Sequence, residues 1–183
     1  MKRSFPAPSP IEAAWQSVLE SALGRTVAPR SLGVMVERLS ARYRGENVVL
    51  APADELAARA LFWLPRDLPK VQRAVSELSF AGALPDRPLK VLDLGAGLGA
   101  TSLGLLRALP AGRTVAEITA VDRDARALEL FQRVFIRAQS AGLAPAGVTV
   151  QTLTRDLSAD GWDESLGTYD VILAGLSLVE LAQ

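Results

Sequence analysis

Neither cysteine nor histidine occurs in the 183 residues. The first absence removes disulfides, thiol nucleophiles and cysteine-based zinc sites; the second removes a serine–histidine–aspartate triad and the common transition-metal sites. No metal is therefore expected, and a general base would have to be Asp, Glu, Tyr or Lys. None of these is singled out by its surroundings, so the catalytic residues stay unassigned. An excess of one charge is also missing, because twenty Lys and Arg face twenty Asp and Glu. No net field draws the whole molecule toward nucleic acid or a membrane. The balance is uneven along the chain, with thirteen basic and nine acidic residues in 1–90 against seven and eleven in 91–183. That suits a basic partner-facing lobe beside an acidic ligand lobe, and equally a chance imbalance. No apolar run approaches the ~20 residues that cross a bilayer. "MKRSFPAPSP" has no apolar segment behind its charges, so a signal peptide is not expected, nor a membrane partner, and the reading is a cytoplasmic chain.

What is present is ordinary for a globular domain: 49% hydrophobic and 22% charged residues, enough for one sizeable core with an added helical lobe. Residues 1–84 read as that lobe. Ser9-Pro10-Ile11-Glu12 has the form of a capping box opening a helix from Pro10 to Leu23, with Gly24 as its stop. Leu32, Met35, Val36, Leu39 and Tyr43 recur at helical spacing before Gly45. A third helix is expected from about Asp54 to Leu64, ending at Pro65, and a fourth carries Val71, Val75 and Leu78,. "GALPDRPLK", 82–90, breaks helix and strand alike and marks a boundary.

After it the period changes. "LKVLDL", "TVAEITAVD", "GVTVQTL" and "YDVILAGL" read as four strands, with helices at Gly99–Leu109 and Asp124–Ala141 and the start of another in "SLVEL". Residues 85–183 are thus expected to form a doubly wound, mostly parallel α/β sheet of Rossmann type. In such a sheet the ligand lies beyond the carboxyl ends of the strands, beside the first. There the chain places "DLGAGLG", Asp93 to Gly99. A phosphate-binding P-loop needs a lysine after its glycines, and no Lys or Arg follows until Arg107,. A dinucleotide fingerprint needs its third glycine one residue later than Gly99. Asp93 adds a carboxylate where a pyrophosphate would sit, which favours a cationic or amino-bearing ligand.

The pattern D-x-G-x-G-x-G at Asp93, Gly95, Gly97 and Gly99 resembles motif I of class I S-adenosylmethionine-dependent methyltransferases. The resemblance implies S-adenosyl-L-methionine as cofactor, held by Asp93, Leu94, Gly95, Ala96, Gly97 and Gly99. It also implies that Asp122 and Arg123 lie at the ribose, and that Asp156 meets the adenine amino group with Leu157 packed near the ring. Asn/Asp-Pro-Pro-aromatic, which amino-group methyltransferases acting on bases often carry after strand four, is replaced here by Ala174-Gly175-Leu176-Ser177. That chemistry is not expected.

"RLSARYRG" at 38–45 and "DELAARALFWLPRDLPKVQRAVSEL" at 54–78, followed by the glycine motif, are similar to bacterial relatives of the mitochondrial small-ribosomal-subunit methyltransferase-like assembly factor. The likeness spans about residues 30–181. It implies ribosomal RNA or a ribosomal protein of the small subunit as acceptor, and Arg66, in a partial match to Arg-x-Pro-Ala-Thr-Tyr, as a residue that closes over the cofactor's carboxylate or is merely solvated. The alternatives are a small-molecule methyltransferase and a non-catalytic S-adenosylmethionine-binding assembly module. Two departures stand: the cysteine cluster of that group is missing, and only about four of seven strands are counted. The sheet is expected to be truncated or completed by another chain, with self-association through its exposed edge.

Overall fold

The computed structural model describes residues 10–161, 163 and 166–175. Four strands, β1 (Leu89–Leu94), β2 (Val115–Asp122), β3 (Thr149–Thr154) and β4 (Val171–Leu173), make one sheet in the order β3-β2-β1-β4. Every pairing is parallel, with Val91 of β1 opposite Ile118 of β2 and Val171 of β4. β1 reads as a continuous apolar run because it is covered on both faces: Val91 and Leu92 are both buried,. Two crossover helices, α6 (Ala100–Ala108) and α7 (Ala125–Ser140), connect β1 to β2 and β2 to β3. Both crossovers advance the same way along the sheet, so right-handedness puts both helices on one face. Leu89, Val91 and Asp93 point to that face, where Asp93 meets Thr101 and Ser102 of α6. This is the α/β architecture the sequence predicts.

The helical half forms a further layer over α6 and α7. α1 (Pro10–Leu23) matches its predicted span; Ser9 of the proposed capping box and the helix expected in "SLVEL" lie outside the described residues. α1 packs on α7, where Arg133 Nε donates to the Ala22 carbonyl and Arg137 Nε to Ser21 Oγ. Trp15, Leu19 and Ala22 join Leu103, Phe131 and Val134 in one buried cluster, and each fully buried Leu or Phe among them contributes roughly 1.5–3 kcal/mol. α2 (Pro29–Tyr43) buries Leu39 but leaves Tyr43 63% exposed, so its apolar stripe runs out one turn early.

The third helix does not stop at Pro65. α3 (Pro52–Ala58), a π turn (Arg59–Trp63), α4 (Leu64–Asp67), a 3₁₀ turn (Leu68–Val71) and α5 (Gln72–Phe80) follow one another without a break. Pro65 is the second residue of α4 and cannot donate to the turn before it, so the backbone must give way there rather than end,. The preceding π turn, closed by Leu64 N–H to the Arg59 carbonyl, lets the chain widen before the ring. α5 buries Val75 as expected, whereas Leu78 is 39% exposed. Among the described residues no helix is long and apolar enough to cross a membrane.

Candidate functional site

Strand β1 ends at the half-buried Leu94, and the next five residues climb into α6. Ala96 N–H donates to the Val121 carbonyl, and Gly99 N–H to the Ala96 carbonyl, which ties the loop to the end of β2. Asp93 lies beneath this loop and is fully buried. Its Oδ2 accepts from Ser102 N–H at 3.1 Å and from the hydroxyls of Ser102 at 2.6 Å and Thr101 at 2.7 Å. Asp93 thus satisfies the third N–H of α6 from across the strand end, as a cap residue does. Its charge faces α6 and not the open side of the loop, so the electrostatic preference ascribed to it in the sequence passes to the acids after β2.

The glycines of the loop divide by what surrounds them. Gly99 is left-handed (φ +75°), and a Cβ there would drive into the ring of the buried Phe131 on α7. The third glycine is required by helix packing. At Gly97 (φ +53°) a Cβ would stand 3.2 Å from Arg59 Nη2 and 3.9 Å from Asp122 Oδ2. This is the position where the backbone is bare toward polar groups, the arrangement a hydrogen-bonding ligand needs.

Asp122 ends β2 directly beside the loop. Its Oδ2 accepts from Gly97 N–H at 2.8 Å and its Oδ1 from Asp124 N–H at 2.8 Å. Each oxygen keeps a second lone pair for a ligand hydroxyl. Asp124 caps α7, accepting from the N–H groups of Arg126 and Ala127, and pairs with Arg59 at 2.8 Å. Burial raises the Asp124 carboxyl, but the Arg59 hydrogen bond, the Ala127 N–H and the charges of Arg59 and Arg126 outweigh it and hold it below the ordinary value,. Arg59 is the residue that sequence reading missed. It sits on the π turn, a feature often found at functional positions, with no local sequence signature.

The remaining candidates lie further out. Asp156 is exposed, and Ser158, through its hydroxyl and its N–H, holds that carboxylate below the ordinary value; the charge of Arg123 adds to this. Leu157 beside it is half-buried. Arg155 N–H to the Asp122 carbonyl joins the ends of β3 and β2, so Asp122 and Asp156 share the carboxyl edge of the sheet. Arg66 is exposed and its guanidinium lies 4.8 Å over the Phe62 ring, a cation–π contact on the helical layer. On the other side of the loop, Gly175 follows β4 so closely that a Cβ would collide with the methyl of Thr101.

Burial pushes the Asp93 carboxyl up to about 6 from the ordinary 3.8, against the opposing hydrogen bonds from Ser102 and Thr101. Between those values the folded chain keeps a proton that the unfolded chain has lost. Stability is therefore expected to fall as pH rises through the window, by on the order of 3 kcal/mol. Asp93→Asn keeps an acceptor for Ser102 N–H and removes the charge. In urea titrations its stability relative to the parent should be clearly better at pH 7 than at pH 4.5; a difference that does not change with pH would refute the ionised buried carboxylate.

The fold and this edge define a Rossmann-like α/β sheet with a glycine loop and the acids Asp122 and Asp156 at its carboxyl edge. No family model matches the chain, and no curated protein matches it. Among solved structures it is similar to a methyltransferase dependent on S-adenosylmethionine from Agrobacterium tumefaciens, 27% identical with a TM-score of 0.39, over 58% of this chain and 31% of that one. It is similar also to magnesium protoporphyrin IX methyltransferase from Synechocystis, solved with S-adenosylmethionine bound (20% identical, TM-score 0.40, 93% and 64% covered). A third is an O-methyltransferase from Bacillus cereus in complex with S-adenosylhomocysteine (14% identical, TM-score 0.33, 89% and 62% covered). The chain thus spans from about a third to somewhat under two thirds of their lengths.

Proposed function

We propose that the chain binds S-adenosyl-L-methionine and forms the cofactor half of a methyltransferase. The observation that carries this reading is Gly97. It has no side chain between its backbone and the polar groups of Arg59 and Asp122, its N–H is held by Asp122, and both Gly97 and Asp122 stand at the carboxyl edge where β1 and β2 lie side by side. A ligand laid there meets backbone and a carboxylate able to accept ribose hydroxyls, and no lysine suited to a phosphate. The cofactor supplies a methyl group on a sulfonium, so the protein need only align an acceptor, with a base where the acceptor must lose a proton. On this reading Asp122 holds the ribose, Asp156 and Leu157 border the adenine, Leu94, Gly95, Ala96 and Gly97 line the amino-acid tail, and Arg123 flanks the edge. Asp93 and Gly99 shape the loop from below.

The acceptor is ribosomal RNA or a ribosomal protein of the small subunit, a reading supported by the sequence resemblance of residues 30–181. The outer edge of β4, with Ile172 63% exposed, is the surface through which self-association would occur.

Isothermal titration with S-adenosylhomocysteine tests the cofactor. Asp122→Asn should bind about 10- to 100-fold more weakly, the range for a hydrogen bond to a charged group; its amide oxygen can accept from only one of the Gly97 and Asp124 N–H groups, so it should also melt somewhat below the parent, and affinity is compared at a temperature where both are folded. Failure of the folded protein to bind, both with Arg59 in place and with Arg59→Ala, would end the proposal. Transfer of labelled methyl to small ribosomal subunits separates an enzyme from a binding module: binding without incorporation supports the module.

A further inference from the structure

Arg59 lies where the proposed ligand must lie. Its Nη2 is 3.2 Å from the missing Cβ of Gly97, close enough that Gly97 is buried beneath it. Its Nη1 is fixed at 2.8 Å by Asp124 Oδ2, and both side chains are about four-fifths buried, at 20% and 23% exposure. The guanidinium therefore fills the space over Gly97, a loop glycine that faces polar groups, and a carboxylate anchored by the N-terminus of α7 keeps it there.

Resting on the cofactor reading above, we propose that Arg59 is a latch on the ligand seat: paired with Asp124 it covers Gly97, and a ligand binds only when the guanidinium has swung clear. The charges facing it are Asp122 and Asp124 from the end of β2 and the start of α7, with Arg126 at 3.7 Å from Asp124 Oδ1 competing for the same carboxylate. Arg59 belongs to the π turn within the continuous stretch Pro52–Phe80, so the latch is carried by the helical layer and its partner by the sheet. Displacing that layer opens the seat. The apparent affinity of a ligand for such a site is its intrinsic affinity reduced by the fraction of molecules with the latch open.

Removing the latch should therefore tighten binding. Titration of S-adenosylhomocysteine into the parent, Arg59→Ala and Asp124→Asn is expected to give a Kd lower by roughly three- to tenfold in both variants, from the loss of one partly buried ion pair. Asp124→Asn is the safer variant, because the amide oxygen still caps α7 while the pair to Arg59 is gone. Both should melt at a lower temperature than the parent without ligand and recover more on saturation with it. Equal or weaker binding by the folded variants overturns the latch and makes Arg59 a ligand contact or a bystander. Binding by Arg59→Ala with none by the parent supports it in its strongest form. No binding by any of the three overturns the cofactor reading itself, and the latch with it.

Discussion

Gly99→Ala is expected to destabilise the chain by about 3–5 kcal/mol, the sum of an L-residue held at positive φ and overpacking of a filled core. The new methyl group would enter the ring of Phe131, which is fully buried between α6, α7 and the sheet and belongs to the central cluster. Urea unfolding measures the loss. Because the clash is with one side chain, shrinking it should relieve the strain: Gly99→Ala with Phe131→Leu should be less destabilised than the two single variants added together, by about 1 kcal/mol or more. Strict additivity would sink the account. The expected loss matters for function, since a Gly99 variant that fails to bind ligand does so by loosening the fold.

Gly104→Ala should reverse the sign of helix propensity. In a helix interior alanine ordinarily exceeds glycine by about 1 kcal/mol. Here the added Cβ would strike the Leu68 carbonyl oxygen and lie 2.7 Å from Val71 Cγ1. A backbone atom cannot rotate aside, so α6 and the 3₁₀ turn must part, and a loss of about 3 kcal/mol or more is expected. Gly33→Ala on α2 is the matched control, with no atom within 4 Å of its Cβ; it should stabilise the chain by up to about 1 kcal/mol. Equal effects at the two glycines in thermal or urea unfolding would show that α6 and the Leu68–Val71 turn are not in contact. Separation at Gly104 also displaces the stretch that carries Arg59, so ligand affinity should change in the same variant.

Much of the sheet is legible in the sequence because each feature is local. "LKVLDL" reads as a buried strand since β1 is covered on both faces, and Asp124 reads as a helix start since its side chain caps α7 within three residues. Pro65 misleads for the same reason: judged locally it ends a helix, whereas the π turn before it makes room for the ring. The difference between Gly97 and Gly99 depends on Phe131, Asp122 and Arg59, distant in sequence from the loop. The same is true of Arg59 itself, 65 residues before Asp124. Composition and period carry no record of such pairs. Asp93 reads in the sequence as a carboxylate turned toward a ligand, whereas only the packed structure brings Ser102 and Thr101 around it.

The seating of α1 on α7 also sets an order of assembly. Arg133 reaches the Ala22 carbonyl across 111 residues, and Arg137 reaches Ser21 across 116. During synthesis at about 5–20 residues per second, α1 waits roughly 6–23 s before the helix it rests on exists. Trp15, Val18 and Leu19, buried in the finished molecule, spend that interval without their cover. α1 is made long before the helix it rests on, and a nascent chain of this protein is most prone to association before α7 has emerged.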